Sequence, residues 1–276
     1  NKETVIDWVN WDNMGAAGGI ISSVNDMAKW IQLQLNSGIW ENDTILSPTQ
    51  QNILWTPHNN YVLSANAKLN LPGRHFSGYG LGWGLYDYFG NMIVTHSGGY
   101  DGMYSRVMLI PDQKLGIVIL TNSMSGITSP LCYYILNSFI KKDNRDWSAL
   151  ALERSKENNF HQNEVNKRQA AKKENTKPSL SLSAYTGTYA DPMYGQLQIS
   201  LENEALQISF EKAPLLSAKL AHWHFDTFEI VWDDTHAWFD FGTLQFLLDN
   251  NLKVEEIKFD VPNGDIFFEE LHFKKI

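Results

Sequence analysis

Between Lys142 and Lys177 the chain nearly runs out of residues able to enter a core, and that stretch divides everything else. It reads Lys-Asp-Asn-Arg-Asp-Trp-Ser-Ala-Leu-Ala-Leu-Glu-Arg-Ser-Lys, then stays polar to Lys172-Lys173-Glu174-Asn175-Thr176-Lys177-Pro178. With 276 residues in total, two cores are expected, one on each side of a linker. The linker's first half, around Trp147, Leu150 and Leu152, has the composition of a solvated helix packed at one end, and Pro178 stops it.

Composition removes several functions. A formal charge of -9 argues against nucleic acid as a partner, because phosphate binding needs a basic face. Nowhere does the sequence reach the ~20 consecutive apolar residues of a membrane span, and Asn1-Lys2-Glu3 does not open a secretory signal. A start at Asn1, without an initiator Met, reads as a processed or trimmed end with sequence upstream. Cys132 is the single cysteine, so no intrachain disulfide and no cysteine-based zinc site is expected; between Leu131 and Tyr133 it reads as a buried, inert thiol.

Upstream of the linker, helix signals are specific. Ser23 precedes Asp26 by three residues, and Met27, Trp30, Ile31 and Leu35 recur on one helical face before Gly38. Ser47-Pro48 with Gln50 opens a second, shorter helix. Tyr79–Tyr88, Met92–Thr95, Tyr104–Leu109 and Leu115–Thr121 read as strands, with turns at Gly90-Asn91 and Pro111-Asp112; connections this short imply antiparallel pairing. Ile127–Ile140 is apolar on most sides and long enough for a helix against that sheet.

After Pro178 the pattern becomes short strands at near-regular intervals: 187–189, 196–201, 205–210, 215–221, 227–231, 237–241, 244–248, 254–259 and 267–273. Glu202-Asn203, Asp233-Asp234, Asn250-Asn251 and Asn263-Gly264-Asp265 are hairpin chemistry. So many strands in so short a region point to an up-and-down barrel or a sandwich. Its aromatics, Trp223, Phe225, Phe228, Trp232, Trp238, Phe239, Phe241 and Phe246, either fill the barrel core, their commoner use, or line a ligand cavity. His222-Trp223-His224 has zinc-compatible spacing, but no third ligand lies near in sequence, so a surface pair is expected and no metal or other cofactor is assigned.

The candidate chemistry lies at His96-Ser97-Gly98-Gly99, followed by Tyr100-Asp101-Gly102. Glycines at a strand end let another backbone approach, and a substrate carbonyl laid there meets backbone N–H donors beside an imidazole. Alone, the tetrapeptide reads more readily as a plain glycine turn.

The ordered set Gly15-Ala16-Ala17-Gly18-Gly19 through Ser23-Val24-Asn25-Asp26-Met27-Ala28-Lys29-Trp30, then Tyr79-Gly80-Leu81-Gly82-Trp83, His96-Ser97-Gly98-Gly99, Ile110-Pro111-Asp112 and Gly116–Asn122 resembles the serine β-lactamase and penicillin-binding-protein superfamily. Within it the chain is similar to the class C β-lactamase-related group, with its DD-peptidases, esterases and S12 peptidases, over about Trp11–Ile140. The resemblance implies that His96-Ser97-Gly98 is the third motif on the strand lining the cleft, that Gly99 donates an oxyanion N–H, and that Ser97, Gly98 and Tyr100 contact substrate. Gly18-Gly19 matches a glycine pair of the subgroup, with a turn or a catalytic role. Tyr185-Thr186-Gly187-Thr188-Tyr189 resembles the start of the lipocalin-like C-terminal domain of some S12 peptidases.

The departures are as informative. The superfamily's nucleophile motif, Ser-x-x-Lys, belongs before all these segments and is not there; Ser138-Phe139-Ile140-Lys141 and Ser209-Phe210-Glu211-Lys212 spell it out of order, and Tyr-x-Asn occurs nowhere in the chain.

The expectation is an α+β chain: residues 1–141 as the C-terminal part of a β-lactamase-like hydrolase domain (antiparallel sheet with packed helices), residues 142–178 as a charged, partly helical linker, and residues 179–276 as a lipocalin-like antiparallel β-barrel. The complete protein would hydrolyse an amide, ester or D-amino-acid peptide through an acyl-enzyme, and this chain alone would be inactive. The alternative is a non-catalytic ligand-binding or scaffolding protein. Expected partners are a small-molecule or peptide substrate and, through uncovered apolar sheet surface, a second copy or an upstream segment. The resemblance further implies an extracytoplasmic home.

Overall fold

A computed structural model describes residues 5, 15–100, 102–157, 160–236, 239–263 and 266–276. The readings placed on Asn1-Lys2-Glu3, Trp11, Asp101, Ala237, Trp238, Gly264 and Asp265 fall outside these residues, as does the side chain of Tyr100. Two compact units, Asn1–Ser155 and Lys156–Ile276, divide the chain.

The first unit opens with α1 (Gly15–Gly18) and α2 (Val24–Leu35), the latter capped by Ser23, whose Oγ accepts the Asp26 N–H at 3.2 Å. A small hairpin, β1 (Ile39–Trp40) and β2 (Asp43–Thr44), leads to α3 (Pro48–Leu54), where Ser47 and Gln50 form the reciprocal capping box that their spacing predicts. Then come β3 (Asn59–Asn60), α4 (Ala65–Asn70), β4 (Ser77–Tyr79), β5 (Gly84–Tyr88), β6 (Asn91–Tyr100), β7 (Met103–Ile110), β8 (Leu115–Thr121), α5 (Thr128–Ile140) and α6 (Trp147–Glu157). Strands β3 to β8 form one antiparallel sheet in sequence order.

The sheet is covered on both faces, and period-two alternation decides which residues go where. Val94, Leu85 and Leu109 join Ile31 of α2 on one face, while Ile93, Met108 and Ile117 join Cys132 and Leu136 of α5 on the other. Burying each such side chain stabilises the unit by about 1.5–3 kcal/mol. Gly116 is what lets α2 come so close, since a Cβ there would lie 2.0 Å from Ile31 Cγ2. Cys132 is fully buried, and burial pushes its thiol up to about 11, as expected for an inert cysteine.

Two expected strands have different limits. Tyr79–Tyr88 is broken into β4 and β5 by a turn in which Gly80 donates its N–H to Trp83 O at 2.8 Å and Gly82 takes a φ of +78°, which strands do not accept. Strand β6 does not end at Thr95 but continues through both glycines to Tyr100, because β7 keeps pairing with it.

The residues read as a linker are divided between the units. In the first, Trp147 stacks on Tyr133 (centroids 4.5 Å apart), Arg145 lies 4.3 Å over the Trp147 ring, and Asp143 accepts the Tyr88 hydroxyl at 2.9 Å. In the second, α7 (Phe160–Ala170) buries Val165 against Trp223 and Phe241, and Arg168 pairs with Asp260 at 2.9 Å. Trp147 packs as its composition indicated, whereas Asp143, Val165 and Arg168 anchor the stretch without a periodic signal.

The second unit continues with α8 (Leu182–Tyr185) and eight strands: β9 (Gly187–Asp191), β10 (Gly195–Glu202), β11 (Ala205–Phe210), β12 (Ala213–His224), β13 (Thr227–Trp232), β14 (Thr243–Leu248), β15 (Val254–Asp260) and β16 (Phe273–Lys275). They close into an antiparallel barrel in chain order, β16 pairing back to β9. Its interior is filled: Tyr185, Phe228 and Phe246 meet at tilted and edge-on angles, and Phe239 packs on Phe268. Core filling is therefore the use of most of its aromatics, although Trp223 and Phe241 pack under α7 instead and Phe225 is exposed. The strand expected over 237–241 does not form at residues 239–241, where Phe239 turns into the core. Residues 267–273 are a 3₁₀ turn over Phe268–Glu270 before the short β16.

Candidate active-site cleft

Strand β6 changes character along its length. Its pairing with β5 stops at Thr95, opposite Gly84, whereas its pairing with β7 runs on through His96–Val107, Ser97–Arg106, Gly98–Ser105 and Gly99–Tyr104 to Tyr100–Met103. Among the described residues, β6 is thus the edge of the sheet on its β5 side from His96 onward. Backbone N–H and C=O groups on that side have lost their ladder, and such groups require other partners.

Alternation then separates the motif by face. His96 and Gly98 share the α2 face with their rung partners Val107 and Ser105, while Ser97 and Gly99 share the opposite face with Arg106 and Tyr104. On that opposite face the Tyr104 hydroxyl donates to Ser97 Oγ at 3.2 Å, and Thr121 Oγ1 fixes the Tyr104 carbonyl at 2.8 Å. On the α2 face the Ser105 hydroxyl donates to Gly98 O at 3.4 Å. His96 is exposed, with its ring 6.4 Å from that of Tyr79.

An open groove of about 540 Å³ runs beside His96, walled by Ile20, Met27 and Trp30 on one side and by Trp83, Ser105 and Val107 on the other. A side chain at Gly98 would meet nothing within 4 Å, so this glycine borders empty space. Asp26 also reaches the groove; hydrogen bonds from Lys29 Nζ at 2.9 Å and from Ser23 hold its carboxyl below the usual range. The groove-lining tryptophans were not among the sequence-derived site residues. Trp30 appeared in the sequence as a helix-face residue and both tryptophans as members of the ordered set, and folding brings them to one groove.

Gly18 ends α1, and Gly19 has the close backbone approach of a tight turn. The Gly19 N–H donates to Gly15 O at 2.8 Å, and a Cβ on Gly19 would lie 2.6 Å from that oxygen. Of the two out-of-order Ser-x-x-Lys segments, Ser138 sits in the last turn of α5, its hydroxyl donating to Ile135 O at 2.6 Å, and Lys141 is the left-handed C-cap. Ser209 and Lys212 straddle the end of β11, where Lys212 Nζ pairs with Glu211 at 2.8 Å. Neither places a hydroxyl at a helix N-terminus with the ammonium one turn away.

The barrel histidines are separated by a bulge between His222 and His224. His222 Nε2 lies 3.0 Å from Phe225 O, and His224 Nδ1 accepts the Lys173 N–H at 3.2 Å. Among the described residues no three potential metal ligands converge. A wider surface groove of about 800 Å³ lies along β9, β15 and β16, where Asp191 accepts backbone N–H groups of Met193, Tyr194 and His272.

Residues 2–131 match the family described as Beta-lactamase, and residues 171–275 match a Domain of unknown function (DUF3471). The Unguisins hydrolase ungD of Aspergillus violaceofuscus is 28% identical over 213 residues, covering 71% of this chain and 37% of its own length. The Unguisins hydrolase ungD′ of Aspergillus campestris is 28% identical over 205 residues, covering 71% and 36%. Among solved structures, the octameric penicillin-binding protein homologue from Pyrococcus abyssi aligns with 92% of this chain and 47% of its own at 16% identity and a TM-score of 0.39. The chain spans little more than a third of the length of the curated relatives it matches.

Proposed function

We propose, from the match of residues 2–131 to the family described as Beta-lactamase, that this chain supplies one wall of a serine-hydrolase cleft whose nucleophile lies outside these 276 residues. The single observation that carries the reading is the exposed edge of β6 from His96 to Tyr100, bordering a groove. The substrate carbonyl lies along that edge, and the Gly99 N–H donates to the oxygen as negative charge develops there. His96 hydrogen-bonds the substrate from the same edge. Ser97, Gly98 and Tyr100 contact it along the strand. The attacking hydroxyl, its lysine base and the tyrosine that assists the leaving group come from Ser-x-x-Lys and Tyr-x-Asn segments that this sequence lacks.

In that reading the serine oxygen bonds to the carbonyl carbon, its proton passes to the lysine and on to the departing amine or alcohol, and water releases the acyl group. The bond cleaved is an amide, an ester or a D-amino-acid peptide. Relatives named as unguisins hydrolases support hydrolysis as the activity class. Residues 1–141 carry the cleft wall, residues 142–178 join the modules, and residues 179–276 are an appended barrel. Among the described residues no helix is long and apolar enough to cross a bilayer; the family resemblance is compatible with an extracytoplasmic site of action. Exposed Ile20, Ile21 and Val24 beside the groove support pairing of this wall with an upstream segment or a second copy.

A panel of chromogenic amide, ester and D-amino-acid peptide substrates offered to the purified chain tests the proposal. No turnover above the uncatalysed rate is expected. Turnover abolished by Ser138→Ala or Ser209→Ala would place the nucleophile inside this chain and overturn it.

A further inference from the structure

We infer that the groove between α2 and the edge of β6 is a side-chain subsite for a large apolar residue of an extended peptide. The inference rests on the cleft reading above and carries it from a bond type to a substrate class.

A free strand edge is completed by an extended chain that pairs with it. Directly opposed residues in such a ladder share a face, and successive residues alternate. A peptide residue opposite His96 or Gly98 therefore projects onto the α2 face, where the groove lies, and its two neighbours project toward Ser97 and Tyr104. The peptide continues the line of β5 beyond Gly84, so its groove-facing side chain abuts Trp83.

Ile20, Met27, Trp30, Trp83 and Val107 give the groove its apolar walls, with Ser22, Asp26, His96, Ser97 and Ser105 as its polar lining. Trp30 is 40% exposed and Ile20 88%, large surfaces that an entering side chain would cover, with Met27 and Val107 beside them. Asp26 is bonded to Lys29 and Ser23, which offset its charge, and the Ser105 hydroxyl donates to Gly98 O. Gly98 leaves the entrance open. Apolar area removed from water is then the term that discriminates between side chains.

Capped tripeptides, acetyl-Ala-X-Ala-amide with X as Phe, Leu, Ser, Lys or Glu, titrated into the full chain and followed by tryptophan fluorescence, test the inference. The Phe and Leu peptides should bind about 10-fold or more tighter than the Ser, Lys and Glu peptides, the ratio expected for burying one large apolar side chain. Trp30→Ala, or Trp30→Gln should the first variant unfold, should cut that advantage to about twofold, and Gly98→Val should remove binding of every peptide. A Lys or Glu peptide binding as tightly as Phe, or an advantage for Phe that survives loss of Trp30, overturns the subsite and leaves the cleft standing if Gly98→Val still blocks binding. No binding by any peptide, or binding indifferent to Gly98→Val, overturns the cleft and the subsite together.

Discussion

Gly84 of β5 faces Thr95 of β6, and the rung they form is the last between those two strands. Beyond it one strand turns away at Trp83 and Gly82 while the other runs on for five residues that, among the described residues, pair with β7 alone. The functional reading of the chain follows from this mismatch in strand length.

Gly98 tests whether the edge serves the cleft or the fold. The position is extended, its Cβ direction is empty, and β-branched residues suit strands. Gly98→Val is expected to leave thermal stability unchanged or slightly raised while narrowing the groove beside His96. A differential scanning calorimetry trace showing a large loss of stability would reveal a packing role instead.

Gly116 is the opposite case. Its Cβ direction is filled by Ile31 Cγ2 at 2.0 Å, so Gly116→Ala forces α2 off the sheet at an expected cost of about 1–3 kcal/mol. Shortening the opposing side chain should relieve the clash, giving Gly116→Ala with Ile31→Ala a favourable coupling of about 0.5–3 kcal/mol in a double-mutant cycle from urea denaturation. Strict additivity would contradict the packing described.

These two glycines mark what was legible in the sequence and what was not. Hydrogen bonds that close within four residues were readable, so the caps at Ser23 and Ser47 and the barrel turns at Glu202-Asn203 and Asn250-Asn251 appear where their residues indicate, whereas Asp233-Asp234 leads into no strand at 239–241. Strand β8 coincides with Leu115–Thr121 for the same local reason, an uninterrupted apolar run between turns. Features fixed by distant partners were not readable. Strand β6 outruns Thr95 because β7 supports it, and a bulge shifts His222 against His224 because β13 sets the register. His96-Ser97-Gly98-Gly99 could be located by its residue types, but its groove depends on Trp30 and Trp83, 53 positions apart and joined only by folding.

Asp143 supplies a pH dependence. Burial raises its pKa, but hydrogen bonds from Arg145 and from the Tyr88 hydroxyl outweigh that and hold the carboxyl below its ordinary value. The ionised form is favoured in the folded chain, so the stability it contributes is complete above the ordinary carboxylate range. That contribution fades as pH falls through the lower, folded value. Asp143→Asn should lower stability at neutral pH and flatten its decline between about pH 5 and pH 2. Chemical denaturation midpoints across that interval check it, and an unchanged slope would remove Asp143 from the account.

The most direct measurement is the intact mass of the purified 276-residue chain after incubation with a serine-directed acylating probe such as a fluorophosphonate. A cleft wall without its nucleophile predicts an unmodified mass under conditions that label a complete serine hydrolase. One stoichiometric adduct, mapped to any serine of this chain, would contradict it.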